Sequence, residues 1–148
     1  MLDPAEVAAF RGPIAVTAAA LLLWYGLLLG LQRGTKYRLI AAYAARGETF
    51  DRYHGQDPEM LAADRAVANT QEQLVPFLVA MWMHAVFVDP ALAAVLGAAW
   101  VGLRAVYPML LGRSLERTQS KRVFIATGPC YAIIAWLLAR TVWVAWTA

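Results

Sequence analysis

Four stretches of the chain are apolar over lengths near the ~20 residues that a helix needs to cross a bilayer. They are residues 14–31, which carry no charge, about 66–88, about 91–112 with Arg104 inside, and about 123–145 with Arg140 inside. Between the first and second, residues 32–57 turn polar, and Gly47 and Gly55 punctuate the run YAARGETFDRYHGQD. That stretch reads as a helical extension followed by a loop. Asp57-Pro58-Glu59 then supplies an N-cap, a first-position proline and a first-turn acid, so the second helix is expected to start at 58 and run unbroken into the membrane. Asp89-Pro90 repeats the device and makes the next two helices antiparallel neighbours. The expected architecture is all-α: an integral membrane four-helix bundle over residues 1–148 as a single domain, with helices at about 14–31, 58–88, 91–112 and 123–145.

Polar residues enter the second helix in a particular order. In DRAVANTQEQLVPFLVAMWMHAVFV, residues 64–88, Arg65, Asn69, Glu72 and Pro76 are spaced 4, 3 and 4 and fall on one helical stripe. With the membrane boundary near Asp64, Glu72 lies roughly 12 Å in at 1.5 Å per residue. Arg104 lies as far back from the exit of the third helix near Gly112, so the two opposite charges stand at matched depth. A charge at mid-bilayer costs ~2.5–3.5 kcal/mol on insertion scales, which makes each a functional-site candidate. Pro76 and Pro108 free the carbonyls of Glu72 and Arg104 and add backbone acceptors at the same places. A planar cationic fork, an amide and a carboxylate on one stripe suit a small zwitterionic ligand, and a peptide fits. A plainer reading has Arg65 snorkelling to the interface while Glu72 and Arg104 pair to hold helices together.

Composition sharpens the class. Hydrophobic residues make up 61% of the chain, charged residues 16%, and the mean hydropathy is +0.51, which places it in a membrane. The segment before the first helix holds Asp3, Glu6 and Arg11 in place of a basic leader, so that helix is expected to be retained. Basic residues cluster in two loops: Arg33, Lys36, Arg38, Arg46 and Arg52 in one, Arg113, Arg117, Lys121 and Arg122 in the other. Both loops are therefore expected in the cytoplasm and both termini on the non-cytoplasmic side. The net charge of +3 reports this topology and an affinity for anionic membrane lipids, not nucleic acid. Cys130, the one cysteine, cannot form an intrachain disulfide and reads as a packing residue. Neither His54 nor His84 has a partner at ligand spacing, so no metal site is expected. Trp143 and Trp146 suit an interfacial belt, while Trp82, Trp100 and Trp136 are expected to face lipid or an apolar cleft. A small transporter would use Glu72 and Arg104 as a polar pathway, but the chain has no repeated halves.

The stripe Arg65-xxx-Asn69-xx-Glu72-xxx-Pro76 resembles the second-helix signature of the MAPEG family, the membrane-associated proteins in eicosanoid and glutathione metabolism, and is microsomal glutathione transferase-like. The likeness covers essentially the whole chain, including the long basic first loop, the tight middle turn and Arg104 on the third helix. It implies a homotrimer with glutathione as co-substrate, bound between subunits and reached from the cytoplasm. It assigns the grip on glutathione to Arg65, Asn69 and Glu72, joined by Arg104 and by Arg33 at the end of the first helix. Where catalytic members carry a tyrosine one or two turns after the third-helix arginine, this chain has Tyr107 early and Leu110 and Leu111 later. For the arginine that stabilises the thiolate, Arg113, Arg117 and Arg122 are candidates; Arg113 or Arg117 is preferred, with Tyr107 as a hydroxyl donor.

The physical requirement is clear. A thiol of pKa about 8.5 is mostly protonated at neutral pH, and bringing it near 6.5 takes ~2.7 kcal/mol of anion stabilisation. The resemblance thus implies a multi-pass membrane transferase or peroxidase, its site toward the cytoplasm, acting on a lipophilic small-molecule substrate. The alternative is a non-catalytic lipid- or glutathione-binding scaffold of the same family.

Overall fold

The computed structural model describes residues 4–115 and 121–147, all helix and connecting turn without a strand among them. A short α1 (Pro4–Ala9) leads into α2 (Arg11–Leu21), which passes through a π-helical stretch, Leu22–Leu28, into α3 (Leu29–Ala44). Then follow α4 (Pro58–Phe87), α5 (Pro90–Leu111) and α6 (Arg122–Thr147). Three helical stretches are long and apolar enough to cross a membrane: Arg11–Ala44, Pro90–Leu111 and Arg122–Thr147. With 30 residues α4 has the length, but Arg65, Gln71, Glu72 and Gln73 dilute its apolar character.

The first helical body continues past its apolar segment, so Arg33, Lys36 and Arg38 stand on a helix. Its wider π turns change the register of the buried face. Pro13, Val16 and Ala20 of α2 are buried on the side that meets α5, whereas Thr35 and Leu39 of α3 are buried on the side that meets α4. Asp57 caps α4 by accepting from the backbone N–H groups of Glu59 and Met60, and Asp89 caps α5 from Ala91 and Leu92. Only Val88 and Asp89 separate those helices, and both donate their backbone N–H to the His84 carbonyl.

Where α2, α4 and α5 meet, Phe77 and Trp100 stack with ring centroids 4.0 Å apart. Gly97 allows the approach: a Cβ there would lie 2.7 Å from Val16 Cγ1 and 2.9 Å from Met81 Sδ. Trp100 is therefore fully buried, neither facing lipid nor lining an open cleft as expected from sequence, because the glycine near it lets the helices close over it. Trp82 also turns inward and donates to Thr17 Oγ1 at 3.0 Å, while Trp136 remains exposed. Cys130 packs in this core with its sulfur 3.9 Å from the Trp100 carbonyl.

At the opposite end of the molecule the loop after α3 is tied down by side chains. Arg52 places its fork on Asp64 at 3.0 and 2.9 Å, and Gln32 donates to the same carboxylate at 2.7 Å. Asp51 accepts from the backbone N–H of His54 and of Tyr53, which holds its carboxyl below the usual range. The backbone N–H of Leu115 donates to the Pro58 carbonyl at 2.9 Å and folds the segment after α5 against the start of α4.

Candidate functional site

A cavity of about 1020 Å³ opens at this basic end, between α4, the end of α5 and the start of α6. Arg65 and Asn69 reach it from α4, Tyr107 from α5, Arg113 from the segment after α5, and Lys121 and Arg122 from the start of α6. Leu110, Leu111 and Phe124 give it an apolar wall. Four cationic side chains on one half-apolar cavity suit an anion carrying or meeting a lipophilic group.

The sequence candidates within the described residues divide between the cavity, the exposed surface and the core. Arg65, Asn69, Tyr107, Arg113 and Arg122 share the cavity. Glu72 lies on the exposed side of α4 and has no hydrogen bond or ion pair among the described residues. Arg33 is exposed on α3, its guanidinium 5.8 Å from the Tyr37 ring centroid. Arg117 lies outside the described residues.

Arg104 is in the core, with 0% of its surface exposed. Its Nη1 donates to Asn69 Oδ1 and its Nη2 to Gln73 Oε1, both at 2.6 Å. The guanidinium also lies 5.2 Å from the Tyr107 ring centroid and 5.8 Å from that of Trp100. The matched depths of Glu72 and Arg104 therefore do not produce an ion pair. At about 100° per residue, Gln73 faces inward where its neighbour Glu72 faces out. The buried cation is met by two amide oxygens and by no carboxylate, while Arg104 Nε and Gln73 Nε2 find no acceptor among the described residues. Desolvating a charge costs several kcal/mol, and two charge-assisted hydrogen bonds of ~1.5–3 kcal/mol each offset much of it.

Gln73 escaped the sequence reading. The one signal was its place four residues after Asn69, a second amide on the next turn of the same helix.

This arrangement fixes the polarity of Asn69. A guanidinium only donates, so the atom facing Arg104 must be the amide oxygen. What Asn69 has left for the cavity is its NH₂, two donors suited to a carbonyl or carboxylate. Beside the Arg65 fork, it makes that wall purely donating. No group of three or more acidic, histidine or cysteine side chains suited to a metal occurs among the described residues.

A family model, that of the MAPEG family, matches residues 13–143 and so takes in the first helical body, the stripe of α4, Arg104 and most of α6. The chain belongs to the MAPEG family. MAPEG proteins are membrane-bound, generally trimeric and generally glutathione-associated, and membership supports a glutathione-related transferase, peroxidase or related activity in general terms. The chain is also 33% identical over 96 residues to the uncharacterized protein sll1147 of Synechocystis sp. (strain ATCC 27184 / PCC 6803 / Kazusa), a match covering 64% of this chain and 63% of that protein.

Proposed function

We propose that this MAPEG protein is a membrane-bound glutathione-dependent transferase or peroxidase acting on lipophilic electrophiles or hydroperoxides. The observation that carries the reading is the donating wall of the cationic cavity: the Arg65 fork beside an Asn69 amide whose oxygen is committed to buried Arg104. Glutathione, as co-substrate, has two carboxylates and two peptide carbonyls for such a wall, and one ammonium for a carboxylate. Glu72 is that carboxylate. It stands on the α4 stripe at membrane depth with no partner among the described residues, a position made tolerable where a neighbouring subunit and a bound ammonium cover it.

The working unit is accordingly a homotrimer of single-domain chains, each crossing the membrane four times with both termini outside and the cavity toward the cytoplasm. Arg33, exposed at the basic end of α3, extends toward the site of a neighbour. Arg113 and Arg122 on the cavity wall, and Arg117, are the cations available to hold the sulfur as thiolate, with Tyr107 as a hydroxyl donor. In transfer the thiolate forms a carbon–sulfur bond as the leaving group departs. In peroxide reduction it takes the terminal oxygen, leaving an alcohol, and a second glutathione completes the disulfide and water.

Titration of the detergent-solubilised trimer with glutathione tests the reading, which expects micromolar to low-millimolar binding. One observation favours the alternative scaffold: the apolar side chains of Leu110 and Leu111 line the cavity where a second hydroxyl would assist the sulfur.

A further inference from the structure

A second cavity, of about 500 Å³, lies on the other side of the end of α5, walled by α3, α4 and α5 of the same chain. On α4 it is faced by Ala62, Ala63 and Ala66; Ala62 adjoins the Arg65–Asn69–Glu72 stripe, while Ala66 and Ala63 are turned about 100° and about 160° from Arg65, so the slot looks onto the face beside that stripe. Gly34, Ala62 and Ala63 keep it open by being small. From Leu31 to Arg38 the wall of α3 runs ~10 Å at 1.5 Å per residue. Along the three helices Leu31, Ala66 and Pro108 line one end, and the charged Arg38, Glu59 and Arg113 lie toward the other, its mouth.

The charges do not cancel. Glu59 is taken by Arg38 in an ion pair of 2.5 Å, whereas Arg113 has no ion pair among the described residues. Among the described residues one positive charge is therefore in surplus at the mouth. Thr35, whose residue is 9% exposed, lines the same slot and makes no hydrogen bond among the described residues. An apolar slot ending in an unpaired guanidinium and an unused hydroxyl is complementary to a hydrocarbon chain that ends in an anion. The length and volume suit one chain.

We infer that this slot binds a single-chain fatty acid, its carboxylate at Arg113 and Thr35 and its chain along Gly34, Ala62 and Ala63. The inference goes beyond the proposed reaction; Arg113 lines both cavities, and Gly34, which lines the slot alone, tells the two apart.

Native mass spectrometry of the full chain in an uncharged detergent, titrated with lauric acid and with methyl laurate, tests it. Laurate should add to one per chain, and methyl laurate should bind at least tenfold more weakly. Gly34→Leu should lower laurate affinity at least tenfold. A side chain is tolerated there, since a Cβ at Gly34 meets nothing within 4 Å, and an unchanged oligomer confirms folding. Arg113→Gln should erase the preference for the acid over its ester. Equal binding of acid and ester, or laurate binding by Gly34→Leu as in the parent, would overturn the assignment. So would a diacyl phospholipid that laurate does not displace and that Gly34→Leu loses.

Discussion

Arg104 donates to Asn69 Oδ1 at 2.6 Å from a position with no exposed surface, so a core cation sets which face of a cavity amide is free. The pair spans two helices and couples the packing of α4 on α5 to the polarity of the cavity wall. Its other anchor, Gln73, is 1% exposed and takes no part in the cavity.

Gln73 should therefore be a stability residue with a charge-specific signature. Gln73→Leu leaves the buried guanidinium with one acceptor and should cost ~2–3 kcal/mol. Gln73→Glu supplies a counter-ion in nearly the same shape and should melt at or above the parent temperature at neutral pH. Thermal unfolding in detergent separates the two, and equal melting of the leucine variant and the parent would show that Arg104 does not depend on this amide.

Glutathione affinity should respond to both ends of the α4 stripe. Arg65→Ala and Glu72→Ala are each expected to weaken it by at least ~1.5 kcal/mol, the scale of one charge-assisted hydrogen bond. Calorimetric titration of variants that remain trimeric checks this. Parent-like binding by both would remove the stripe from the site.

The sequence carried some of this structure and not the rest, for reasons tied to range. The helix starts at Asp57-Pro58 and Asp89-Pro90 were legible because capping is local: a carboxylate reaches N–H groups two and three residues ahead. The stripe Arg65, Asn69, Glu72 and Pro76 was legible as helical periodicity. Its division, with Asn69 held inward and Glu72 turned outward, was not, because it depends on where α5 brings Arg104. Gln73 was missed for the same reason, and so was the burial of Trp100, which depends on Gly97 admitting Val16 and Met81. The π-helical stretch Leu22–Leu28 has no residue in its sequence to announce it; it stands between the two differently facing buried sides of α2 and α3.

The basic loops predict an orientation with both on the cytoplasmic side. On a Cys130→Ala background, cysteines placed at Phe50 and at Ser114 should resist membrane-impermeant thiol reagents added to intact cells and react after lysis. Labelling from outside at either site would invert the orientation and place the cationic cavity on the other face.

In the proposed reaction the cationic cavity turns bound glutathione into a nucleophile. Only a cation close to sulfur lowers its pKa enough, while a neutral hydroxyl contributes one hydrogen bond. Among Arg113→Gln, Arg117→Gln and Arg122→Gln, one should abolish the thiolate with glutathione affinity within about threefold of the parent, since holding the peptide and stabilising the sulfur are separate tasks; Tyr107→Phe should do less. The most direct measurement is the ultraviolet absorbance of thiolate when glutathione is added to the solubilised protein at neutral pH. That absorbance should appear on binding and saturate with the calorimetric isotherm. Saturable binding without thiolate at any pH below the pKa of the free thiol would contradict it and leave a binding scaffold in its place.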